Sequence, residues 1–160
     1  MSEENGTNAA MDDFNLDTDV VENPLIPNGN YSGNVTGVTI DHEKHCIVWK
    51  IAMQGNDGAI MSDGETEVDG ETVFFRNWLP KPGDEVEMTS TGKQTKRQSK
   101  LNNLAKFFKA MNLPVVTMTD IVNAIEEGDW IGLDVTVAVA TREWQGSFSN
   151  EVTKMTVAHL

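Results

Sequence analysis

The chain has 160 residues, 39% of them hydrophobic, with 12 Lys and Arg against 25 Asp and Glu and a formal net charge of −13. That length suggests one domain with a core that needs no covalent staple, and no run approaches the ~18 apolar residues of a membrane span, which excludes an integral helical membrane protein. A single cysteine, Cys46, excludes an internal disulfide framework and fits a reducing compartment.

Residues 1–23 carry Glu3, Glu4, Asp12, Asp13, Asp17, Asp19 and Glu22 and no base, seven of the net negative charges. The segment is too polar to bury a core of its own and reads as a flexible acidic arm. It lacks the apolar segment of a secretory signal, so a cytoplasmic location is expected. The folded domain is expected over 24–160.

Asn28-Gly29 marks a turn, and Tyr31, Val35, Val38 and Ile40 suit a first strand, bent at Gly33 and Gly37. Asp41–Lys44 is a turn. The second strand, 45–53, sets Ile47, Trp49, Ile51 and Met53 on one face. An acidic loop over 57–71 follows, with six carboxylates and no base. The third strand, 71–79, ends at Pro80 and Pro82.

Between Glu87 and Asp120 no acid occurs, yet six of the twelve bases do: Lys93, Lys96, Arg97, Lys100, Lys106 and Lys109. The apolar stripe Leu101, Leu104, Ala105, Phe108 and Met111 predicts a helix over 101–111, capped by Ser99 and stopped before Pro114. A second helix is predicted at 120–127, capped by Thr119 and ended by Gly128. Residues 130–144 alternate as a long strand, Gln145-Gly146 turns the chain, and 148–158 returns as a hairpin partner.

The order β-β-β-α-β-β predicts an all-β domain with one or two helices, a five-stranded OB-fold barrel; a β-sandwich with a helical excursion is the alternative. In this layout the segments PNGNYSGNVTGVTI, HCIVWKIAM, LNNLAKFFKAMNLP and GDWIGLDVTVAVATREWQGSFSNEV, which cover most of 27–158, resemble phage-encoded OB-fold single-stranded-DNA-binding proteins. The resemblance implies coating of single strands in phage replication or recombination, in the cytoplasm of an infected bacterium. The acidic segment here is N-terminal, whereas many strand-binding proteins of phages and bacteria carry one at the C-terminus.

Single-strand binding needs aromatic faces for bases and a basic track for phosphates. On the third strand Phe74, Arg76 and Trp78 share one face and Val73, Phe75 and Asn77 the other; an Arg between two aromatics suits base stacking and cation–π contact. Lys93, Lys96, Arg97 and Lys100 are the expected phosphate strip. Trp144 sits at the hairpin turn beside Arg142 as a finger, while Trp49, beside Ile47 and Ile51, belongs to the core. The acidic arm is expected to compete with a strand for the groove.

Catalysis has little support. Gly92-Lys93 lacks the upstream glycine of a P-loop and has Gln94 where Ser or Thr belongs. The acidic loop has Arg76 where an EF-hand needs Glu. His42, His45 and Cys46 fall short of the four ligands of a structural zinc site. The expected reading is therefore a non-enzymatic, sequence-tolerant binder of single-stranded DNA, with RNA open, without metal or cofactor. Replication or recombination proteins are its expected partners, and a dimer is open. A phage structural or adaptor module built on the same barrel is the alternative.

Overall fold

Ile47, Trp49, Ile51 and Met53 alternate along one strand, and all four are buried. Their burial face is the organising surface of the computed structural model, which describes residues 13–18 and 23–158. The acidic arm therefore lies mostly outside the described residues.

Five strands and two helices follow in chain order: β1 (Gly29–Asp41), β2 (Cys46–Met53), β3 (Thr72–Trp78), α1 (Lys96–Ala110), α2 (Met118–Glu127), β4 (Asp134–Trp144) and β5 (Ser147–Val157). The strands form one antiparallel sheet in the order β3-β2-β1-β4-β5. β1 is central: its first half pairs with β4, from Gly29 opposite Val139, and most of its length pairs with β2, to Asp41 opposite Cys46. The register against β2 shifts between Val35 and Gly37, a bulge that bends the strand. Gly33 faces Met53 on β2 and Val135 on β4. A Cβ there would lie 2.6 Å from Ile51 Cγ2 and 3.1 Å from the Ala52 carbonyl, so the close approach of β1 to β2 requires glycine.

The core between sheet and helices is aromatic. Trp49 stacks on Trp130 with ring centroids 5.0 Å apart, and Phe107 and Phe108 complete the cluster. Asn77, buried beneath it, accepts the Trp49 indole N–H at 2.7 Å, which satisfies two polar groups that would otherwise be costly to bury.

Helix α1 begins at Lys96, five residues before the predicted start, and its cap is Thr95, not Ser99. The Thr95 hydroxyl accepts the Gln98 N–H at 3.1 Å. The N–H groups of Lys96 and Arg97 find the carbonyls of Glu87 (2.8 Å) and Asp84 (3.0 Å). The loop before the helix thus supplies acceptors to the donors that an isolated helix leaves unpaired. Helix α2 starts at Met118 and is capped by Thr117, not Thr119. Thr117 and Asp120 form a reciprocal capping box, and Gly128 closes the helix with φ 70°. Strand β4 starts at Asp134, later than the predicted 130, because Trp130 turns inward onto Trp49.

The chain ahead of β1 is strapped across the sheet. The Asn150 side chain accepts the Ile26 N–H and donates its amide N–H to the Ile26 carbonyl, each at 2.8 Å. Leu25 and Ser62 exchange a second pair of bonds at 2.7 and 2.8 Å. The acidic loop is anchored rather than free at its base, since Met61 and Val68 are buried and Ile60 bridges to Glu67.

Candidate functional site

Strand β3 sorts its side chains by pleat. Val73 and Asn77 point into the core, and Phe75 stacks on Phe107 at 5.6 Å. The opposite face carries Phe74, Arg76 and Trp78, with Phe74 46% and Trp78 51% exposed. Two large aromatics left half in water on either side of a guanidinium are available for contact with a planar ligand.

The two edge strands of the sheet, β3 and β5, line one cleft of about 450 Å³. Phe74, Arg76 and Trp78 form its β3 wall, and Arg142, Ser149 and Glu151 come from the β4–β5 hairpin. Pro24 and Ile26 of the strap line it as well. Arg76, on edge strand β3, and Arg142, on β4 three strands away in the sheet order, thus approach one cavity. Glu71 and Glu151 also line it, so the cleft holds two charges of each sign.

Trp144 extends this face beyond the cleft. It pairs with Ser147 and Arg142 with Ser149, two positions apart on the same strand and so on the same side of the hairpin. Trp144 is 65% exposed at the tip. Gln145 and Gly146 form the two-residue turn with φ 50° and 81°, the positive values that a tight hairpin with right-handed twist requires. Phe148 is also exposed but pairs with Glu143 and lies on the other side.

The expected basic strip has a different disposition. None of Lys93, Lys96, Arg97 and Lys100 lines the cleft. Lys96 Nζ lies 2.7 Å from Glu87, and Lys100 Nζ lies 2.5 Å from the buried carboxylate of Asp84. The acids that neutralise the basic window thus sit immediately before it in sequence. Lys93 stands in a tight turn closed by the Thr89 N–H on the Gln94 carbonyl at 2.9 Å. Arg97 opens onto a separate apolar groove beside α1. Neither Lys93 nor Arg97 makes an ion pair among the described residues.

Lys100 and the Lys81 N–H hold the Asp84 carboxyl below the usual carboxylate range. Lys96 does the same to Glu87, whose carboxylate in turn raises the Lys96 ammonium. Burial pushes the Cys46 thiol up, away from the thiolate that nucleophilic chemistry needs. Among the described residues no three His, Cys, Asp or Glu side chains are grouped to hold a metal ion, and no helix is long and apolar enough to cross a membrane.

The structure brings Phe74, Arg76, Trp78 and Arg142 together, adds Trp144 along the same face, and leaves the four residues of the basic strip elsewhere. Sequence reading missed Glu71, Ser149 and Glu151, whose place in the cleft depends on the approach of β5 to β3. Comparison of the chain with protein-family models and with curated proteins gives no match.

Proposed function

We propose that the protein is a non-catalytic OB-fold binder of single-stranded nucleic acid, of the kind found in phage replication or recombination. The barrel reading is supported by the sheet order β3-β2-β1-β4-β5, by the helices inserted between β3 and β4, and by the two edge strands facing one cleft. The observation that carries the function is the exposed Phe74-Arg76-Trp78 face across the cleft from Arg142. Aromatic planes at this spacing stack on bases of any sequence, and the two guanidiniums meet phosphates or stack in turn. Trp144 lengthens the track. Stacking and phosphate contacts serve RNA as well as DNA.

A protein-binding module on the same barrel is the second reading. Glu71 and Glu151 favour it, because they offset Arg76 and Arg142 in the cleft. The deciding experiment is a gel shift with oligo-dT, oligo-dA and duplex DNA at several salt concentrations. Single-strand complexes that weaken steeply with salt support the first reading. No shift at low salt leaves the second.

A further inference from the structure

A second concavity, of about 520 Å³, lies beside α1, the 113–118 connection and the β1–β2 turn. Its walls are apolar, from Leu101, Leu104, Phe108 and Ile121, and Arg97 stands on it with His42 and His45. Asp41 is the one carboxylate on the groove. It is turned into its own loop, where Oδ1 accepts the N–H groups of Glu43 and Lys44 at 3.0 Å each.

The chain carries a segment of complementary character. Asp13, Phe14, Leu16 and Asp17 are all exposed, Phe14 by 60% and Leu16 by 73%. Two large apolar side chains flanked by carboxylates match apolar walls with a guanidinium at the mouth. Among the described residues the Phe14 and Leu16 side chains do not fill the groove of their own chain, since both stand in solvent.

We infer that the groove beside α1 receives the Asp13–Asp17 segment of a second copy of this chain, Phe14 against the apolar wall and a flanking carboxylate on Arg97. Segment and groove are different surfaces, so the contact is heterologous. Such a contact passes from copy to copy, or closes when two copies exchange segments. A segment this short covers a small surface, so association of free chains sets in only at high protein concentration. It gains force where copies are held side by side at high effective concentration. The inference does not rest on the nucleic-acid reading, because the groove and the β3–β5 cleft share no lining residue.

The test is sedimentation velocity of the full chain over a wide concentration range, beside two variants. Phe14→Ala/Leu16→Ala blunts the segment. Ala105→Glu, at an exposed α1 position on the groove, sets a carboxylate in the mouth. The wild-type chain is expected to self-associate as its concentration rises, and each variant to associate about ten- to a hundredfold more weakly. An equimolar mixture of the two variants is expected to form a one-to-one complex and nothing larger, because it holds one intact segment and one intact groove per pair. Melting curves check that both fold; should Ala105→Glu unfold, Met118→Glu at the same mouth replaces it. A wild-type chain that stays monomeric throughout, a dimer that survives both variants, or a mixture that does not pair overturns the inference.

Discussion

Trp49 and Trp78 lie on neighbouring strands and differ in everything that surrounds them. Trp49 is buried, stacked on Trp130 and hydrogen-bonded to Asn77. Truncating it to Ala is expected to destabilise the fold by ~3–5 kcal/mol through the cavity left behind, and it also strips Asn77 of its partner. Trp78→Ala is expected to leave the melting temperature nearly unchanged and to weaken oligonucleotide binding by ~1–3 kcal/mol. Melting curves and fluorescence titrations with oligo-dT on both variants check the pair; a Trp78→Ala chain that melts early would give that side chain to the core. Asp84 supplies a pH dependence. Its carboxyl is held low by Lys100 in the folded chain and returns to the ordinary range on unfolding. Its contribution to stability is therefore complete above the ordinary carboxylate range and is lost as the pH falls through that range towards the depressed value. Lys100→Met is expected to lower stability at neutral pH and to flatten the acid limb of a stability–pH curve measured by urea unfolding.

At the scale of elements, periodicity and the glycine that ends α2 were readable, and the N-caps were not. The alternation of β2 and β3 and the apolar stripe of α1 appear directly in residue order, because burial on one face imposes them. The start of α1 does not, because by residue type Ser99 is at least as good a cap as Thr95. The choice is made by the carbonyls of Asp84 and Glu87, which meet the N–H groups of Arg97 and Lys96. Thr95→Ala is accordingly expected to cost ~1 kcal/mol, and Ser99→Ala to stay within about 0.5 kcal/mol of wild type, both measured by denaturant unfolding. The candidate site was legible by halves. The β3 face follows from pleat alone, whereas its facing wall comes from the β4–β5 hairpin about 70 residues later and needs the sheet to be assembled first. The basic window misled because its neutralising acids, Asp84 and Glu87, precede it and are folded back onto it.

For the whole molecule the question is how a chain of net charge −13 would hold a polyanion. Arg76 and Arg142 are the cations of the cleft, and each phosphate contact on a single strand contributes about 0.7 to the slope of log affinity against log salt. Replacing both with Gln is expected to flatten that slope by roughly 1.4 if both meet phosphate. Replacing Glu71 and Glu151 with Gln is expected to act in the opposite sense, tightening binding most at low salt. Binding isotherms at a series of salt concentrations read both outcomes. A slope unchanged by the arginine replacements would remove them from the phosphate track.

The central place of β1 has a temporal consequence. Its partner β2 follows within a few residues, but the Val139 that faces Gly29 is made only after both helices. On the ribosome, the edge Gly29–Asn34 waits without its β4 neighbour while more than half the chain is synthesised. That stretch reads GNYSGN, glycine and small polar groups with one aromatic, a composition that gives a foreign strand little to grip. Pairings this distant in sequence also make for slow refolding, in the millisecond-to-second range of sheet proteins. Stopped-flow tryptophan fluorescence is expected to show the Trp49–Trp130 stack forming in that range, and a chain terminated after Glu127 is expected never to form it.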